Sequence, residues 1–182
     1  MHAFLDHLRR LTAADATDER FVRALLDVTP HIPTFAAFDA PATKSGYRRT
    51  LLHREKAFEL VAMRWNGGIE TSVHDHGGQR CWFVVMDGTI GVENFRRVCG
   101  PPGDVSVRSQ GSALLFEGEV DARLTDADLH RCLVPGEGAL TLHLYANPLG
   151  EYNVYDLTAH SITKQRSSYD DRCLLSNERF SG

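Results

Sequence analysis

The chain has 182 residues and a formal net charge of -4, long enough for a single domain with a substantial core of its own. Its hydrophobic fraction of 42% and charged fraction of 24% are ordinary for a globular fold. No Lys/Arg cluster is dense enough to neutralise a phosphate backbone, which argues against nucleic acid, and no apolar run approaches the roughly 20 residues of a membrane span.

MHAFLDHLRRL lacks the apolar core of a signal peptide, so a cytoplasmic protein is expected. Cys81, Cys99, Cys132 and Cys173 show no CxxC spacing and read as buried thiols, not as a disulfide framework. In the first third, Phe4, Leu5, Leu8 and Leu11 recur at helical spacing. A second helix starts after Thr17 or Asp18, runs through FVRALLDV and is ended by Pro30 and Pro33. Both helices should pack outside a β-structure, with His2, His7 and His31 solvated.

Residues 34–46 read as a polar link. Tyr47, Arg48 and Arg49 lie just ahead of a strand-like run, and on a strand the two arginines must face opposite ways, so one can point inward. FELVAMRW is a strand, followed by a turn at Asn66-Gly67-Gly68 and a strand carrying His74 and His76. CWFVVMDGTIGVENF reads as a hairpin about Asp87-Gly88. Beyond a loop at Pro101, Pro102 and Gly103, VSVRS, SALLFEG, DADLHRCLV and GALTLHLYA are further strands. Short strands at regular intervals favour a sandwich or barrel in one domain. The polar tail, ITKQRSSYDDRCLLS, wraps over it or frays.

On a strand His74 and His76 face the same way and Asp75 the other, so the two imidazoles form half of a metal site; the alternative is a surface His-Asp-His turn. His130 and His143 lie in strand contexts, and either could supply a third nitrogen.

The order Gly68, five residues, His74-x-His76, four residues, Cys81, six residues, Gly88 resembles the first metal motif of the cupin superfamily. Most cupins carry a glutamate ligand where Cys81 stands. A cysteine there, with LHR at 129–131, LHLY at 142–145, Tyr47-x-Arg49 and Trp65, is similar to the cysteine dioxygenase family of thiol dioxygenases. The resemblance covers roughly residues 45–156 and implies a mainly β, cupin-type jelly-roll barrel within a single domain over 1–182. Residues 1–33 would be its helical region, 45–156 the barrel with the site, and 157–182 a C-terminal strand or tail.

The resemblance also implies roles. His74, His76 and His130 would hold a non-haem Fe(II) without a carboxylate, keeping the full charge that lowers the pKa of a coordinating thiol. Arg49 would bind the substrate carboxylate, beside Tyr47, Trp65 and Tyr145. Cys81 and Tyr145 match a pair that forms a thioether cross-link in some members, and His143 would hydrogen-bond the Tyr145 phenol. The activity implied is oxidation of L-cysteine to its sulfinate with O2, Arg49 favouring cysteine over 3-mercaptopropionate. A dioxygenase for another thiol carboxylate and a non-catalytic metal-binding cupin are the alternatives. The protein is read as a monomer or weak homo-oligomer whose partners are a small thiol and O2. Two departures stand out. Ala146-Asn147-Pro148 replaces the animal members' Ser-Pro-Pro, where a cis bond before Asn147 would cost roughly 3 kcal/mol, so the loop shaping the pocket is expected to differ. The insertion between the motif halves, Arg96 to Ser106, is short.

Overall fold

The structure, a computed structural model, describes residues 2–14, 17–32, 46–98, 106–125 and 129–172. Pro33, the 34–45 part of the polar link, Cys99, the Pro101-Pro102-Gly103 loop, the start of DADLHRCLV, Cys173 and the chain after it lie outside these residues, as do the side chains of His2 and His31.

Two helices, α1 (His2–Ala13) and α2 (Asp18–Val28), come first. Thr17 takes the capping position of α2 without a side-chain hydrogen bond, and Pro30 sits in a 3-10 turn, Thr29–His31, that closes the helix. Leu5, Leu8 and Leu11 of α1 and Phe21, Ala24, Leu25 and Val28 of α2 are buried, as helical spacing requires. They pack on the outer face of a sheet, where Phe21 stacks on Trp82 at 4.5 Å between ring centroids.

The strands are β1 (Tyr47–Arg54), β2 (Phe58–Asn66), β3 (Val73–His74), β4 (Arg80–Gly88), β5 (Ile90–Val98) and β6 (Ser106–Leu115), then β7 (Val120–Arg123), β8 (Leu129–Leu133), β9 (Gly138–Ala146), β10 (Glu151–Asp156), β11 (Ser161–Arg166) and β12 (Asp171–Arg172). Two six-stranded sheets result, ordered β12-β1-β2-β9-β4-β7 and β11-β10-β3-β8-β5-β6. This is the mainly β barrel of two sheets, with helices outside, that the strand spacing and the motifs lead one to expect. Alternation builds its two cores. On β9, Leu140, Leu142, Leu144 and Ala146 face the helices, while Ala139 and Tyr145 face the barrel interior. β2 divides in the same way, with Phe58, Leu60 and Ala62 outward and Val61, Met63 and Trp65 inward.

Three local expectations give way. The runs flanking Asp87-Gly88 do not form a hairpin: β4 pairs with β7 and β9, and β5 with β6 and β8. A register shift between Val85 and Asp87, then Gly88 at φ +77°, turns the chain out of one sheet into the other. A Cβ at Gly88 would sit 2.3 Å from the Gly138 carbonyl oxygen. VSVRS and SALLFEG form the single strand β6, because a register shift opposite Asn94 and Phe95 absorbs the extra residue beside Gly111. The short, half-polar VDAR and EYNVYD are strands β7 and β10, which period-two reading passes over. β11 pairs along the whole of β10, and β12 lies parallel to β1, so the described tail wraps the barrel and sheet structure continues past residue 156.

Candidate metal centre

β3 ends at His74, so His76 stands in the following loop and not on a strand. Its ring nevertheless meets that of His74, because Asp75 anchors the loop from the other side. Asp75 accepts hydrogen bonds from the Gly77 and Asn153 amides, each at 2.9 Å, from Asn153 Nδ2 at 2.7 Å and from the Tyr155 hydroxyl at 3.1 Å. Gly77, at φ +60°, lets the chain run against β10: a Cβ there would lie 2.1 Å from the Glu151 carbonyl oxygen. The separation of His74 and His76 from Asp75 is as alternation implies, but turn geometry completes it.

His130 on β8 is the register partner of His74. The three ring centroids lie 4.7–5.4 Å apart, and one nitrogen from each ring falls within 4.8 Å of the others. His143 is not in this cluster, which leaves His130 as the third nitrogen. Burial, then neighbouring positive and imidazole groups, lowers the pKa of His76 and His130 well below the usual histidine range; burial also lowers that of His74. Neutral imidazoles, two of them buried and that of His74 half-buried, suit a cation. His74 Nδ1 donates to the Ser72 carbonyl oxygen at 2.9 Å, which leaves its Nε2 for the cavity.

The triad lines a cavity of about 240 Å³ whose wall also includes Tyr47, Arg49, Trp65, His143, Tyr145 and Tyr152. Arg48 and Arg49 face opposite ways, as a strand demands. Arg48 ion-pairs with Asp171 outside, whereas Arg49 turns inward with Nε and Nη2 buried and without a hydrogen-bond partner. Burial alone would lower the Arg49 pKa, but Tyr145, Glu59, Tyr47 and Tyr169 outweigh it and hold the guanidinium charged. Such a group wants a carboxylate. Trp65 packs against Tyr47, with centroids 5.1 Å apart.

Cys81 and Tyr145 are register partners on neighbouring strands, which sets the thiol beside the phenol. Burial pushes both pKa values up, so both groups are protonated at neutral pH. The expected bond from His143 to Tyr145 is replaced by another. His143 Nε2 lies 2.8 Å from Thr141 Oγ1, which also accepts from Trp65 Nε1 at 2.9 Å. Residues two apart on one strand stand roughly 7 Å apart with side chains parallel; the His143 and Tyr145 rings stack at 6.1 Å and 14° and do not aim at one another. The ring of His143 also stacks on Phe83 at 4.9 Å. Asn147, in the altered loop, adopts φ +69°, and the described peptide bonds are all trans.

Residue reading overlooked Asp75 as an anchor, and it overlooked Thr141, Tyr152, Glu59, Asp121 and Arg123. Thr141 was open to detection, standing two residues before His143 on the same face. The others acquire their positions from strands that pair late in the chain.

A sequence profile for the family described as Cysteine dioxygenase type I matches residues 3–158. The chain belongs to this family. Cysteine dioxygenase type 1 of Homo sapiens is 25% identical over 152 residues, covering 82% of this chain and 75% of its own. The Rattus norvegicus protein gives the same figures. Among solved structures, KdgF from Halomonas sp. aligns with a TM-score of 0.47 at 14% identity, covering 58% of this chain and 83% of that one. A double-stranded β-helix domain from Klebsiella pneumoniae aligns at 0.49 and 14%, over 68% and 89%. This member of the cysteine dioxygenase family is a thiol dioxygenase, an enzyme of a metal-dependent family with three histidines clustered in its barrel. No helix among the described residues is long and apolar enough to cross a membrane.

Proposed function

We propose that this enzyme oxidises L-cysteine to cysteine sulfinate with O2, using a non-haem Fe(II) held by His74, His76 and His130. The observation that carries the reading is Arg49, a charged guanidinium with two buried, unpartnered nitrogens in the same cavity as three neutral imidazoles. When bound, the iron would activate the substrate sulfur and dioxygen. The donor set fits: the three nitrogens are neutral and convergent, and among the described residues no carboxylate joins the three as a ligand.

The chain's own residues supply binding and orientation. Arg49 holds the substrate carboxylate with paired hydrogen bonds, and the Tyr47 hydroxyl adds a further donor beside it. Trp65 and Thr141 hold His143 in one orientation, which keeps the wall behind Tyr145 rigid. The protonated Tyr145 phenol orients the reacting oxygen and donates a hydrogen bond to it. Cys81, the register partner of Tyr145, forms a thioether with it that locks the ring in place: the thiol S–H and one ring C–H beside the phenol oxygen are lost, and their two electrons and two protons pass to O2, the co-substrate. The single-domain reading of 1–182, a cytoplasmic location and a monomeric or weakly associated state complete the proposal.

The test is oxygen uptake by Fe(II)-loaded protein with L-cysteine, 3-mercaptopropionate and cysteamine. Cysteine should be consumed with stoichiometric sulfinate, and cysteamine, lacking a carboxylate, should not. Arg49→Gln should lower kcat/KM for cysteine by about 2–5 kcal/mol, thirtyfold or more. Brisk turnover of 3-mercaptopropionate alone would reassign the substrate, and no thiol-dependent uptake would end the reading. Intact mass on the same samples should show a deficit of two hydrogens that disappears in Cys81→Ala.

A further inference from the structure

We propose that Asp121 is the positioning residue for His130, fixing its tautomer and ring plane by accepting a hydrogen bond from Nδ1–H while Nε2 faces the metal. This rests on the three-histidine reading of the centre. It concerns a set of polar groups behind the ligands that the catalytic proposal leaves unused.

His130 Nδ1 is buried and has no hydrogen-bond partner, yet Asp121 Oδ2 lies 3.8 Å from it. A shift of about 1 Å brings the pair to hydrogen-bond distance. The carboxylate cannot simply swing away. Arg123, two residues on and on the same face of β7, clamps both its oxygens, through Nε at 2.6 Å and through Nη2. Arg123 Nη1 then donates to Asn94 Oδ1 at 2.5 Å. Asn94 is the register partner of His130 across β5 and β8. The chain of contacts therefore starts at His130, crosses to the other sheet through Asp121 and Arg123, and returns to the strand beside His130.

Side chains of His130, Arg123 and Asp121 are 3%, 8% and 14% exposed, so the pair is largely out of water. A buried ion pair stabilises a fold weakly or not at all relative to apolar residues of similar volume. Its stability contribution is a poor reason for placing it here. A metal-bound imidazole, by contrast, needs an acceptor on its second nitrogen, and a carboxylate there both fixes the ring and raises its basicity. His74 meets that need with the Ser72 carbonyl; Asp121, held by Arg123, meets it for His130.

Two readouts separate positioning from mere structure. Anaerobic competition for Fe(II) should show affinity falling about 10–100-fold in Asp121→Asn. In Zn(II)-loaded wild type, histidine nitrogen NMR should report His130 protonated at Nδ1 and metal-bound at Nε2, with the Nδ1–H signal lost or shifted in the variant. Because Asp121→Asn leaves Arg123 buried with a weaker partner, the double variant Asp121→Asn with Arg123→Leu is measured beside it. With the urea midpoint of the metal-free chain preserved, it should show the same loss of affinity. Affinity within twofold of wild type in the folded variants, or a His130 that bears the metal on Nδ1, would overturn the assignment. Metal binding indifferent to His130→Ala would refute the metal centre itself, and this proposal with it. Binding that requires His130 but ignores Asp121 refutes the proposal alone.

Discussion

Asp75 illustrates how much a single side chain between two candidate ligands can carry. It accepts four hydrogen bonds, from two amides, one side-chain amide and one phenol. Burial raises its pKa, but those donors more than offset it, and the carboxyl titrates below its ordinary value. Asp75→Ala strands several donors at once and should cost about 2–4 kcal/mol, read as a lower urea midpoint. The same variant should bind metal more weakly, since the loop carrying His76 loses its anchor. A variant as stable as wild type would show that the loop holds without Asp75.

The segment after β11 is an element that the polar composition of the tail underplays. Ser167 donates its amide to the Gly150 carbonyl at 2.8 Å, and Asp170 exchanges two bonds with the Arg49 backbone, at 2.8 and 2.9 Å. Between them Tyr169 lays its ring near Arg49 and Arg54, each guanidinium carbon 5.8 Å from its centroid. Its hydroxyl donates to Glu59, a fully buried carboxylate on β2. Burial, then the bond to Glu59, pushes the Tyr169 pKa up to about 12, so the phenol is a donor at any physiological pH. Tyr169→Phe should therefore destabilise the fold by about 1–3 kcal/mol, since buried Glu59 loses its hydrogen bond and keeps only Arg54, 3.8 Å away, an effect visible in urea unfolding. An unchanged midpoint would mean that Glu59 does not depend on Tyr169. Strand periodicity reads β1, β2 and β9 well, since each is long and buried on alternate faces. It cannot read β12, two exposed residues whose partner lies more than a hundred positions earlier.

At the scale of the molecule, four imidazoles sit inside one barrel with lowered pKa values, that of His143 falling to about 3 through burial and the nearby Arg49. In the unfolded chain they protonate as pH falls through about 6.5. In the folded, metal-free chain they do not, so the unfolded state binds more protons and stability falls with pH below that value. The loss continues until the folded pKa is reached, about 3 for His143, and amounts to several kcal/mol for a group so buried. The urea midpoint of the metal-free protein should fall steadily from pH 7 to pH 4. Adding metal at pH 7 should raise the midpoint, and a chelator should reverse it. A flat profile over that range would contradict neutral buried imidazoles.

Much of this protein follows from local backbone geometry alone. The two-residue period of strands separates Arg48 from Arg49 and divides β9 between two cores, and one intervening residue keeps His76 near His74 in the chain; motif order then identifies the family. Other decisions belong to strand pairing between distant positions, which no local period encodes. Pairing His130 with His74 selects the third nitrogen, and the bulge before Gly88 sends β5 to the opposite sheet instead of into a hairpin. Pairing of β7 with β4 places Arg123 opposite Cys81 and, through Asp121, behind His130. The two ligands are neighbours in the chain, whereas the groups that aim, hold and complete them are brought together only by the closed barrel.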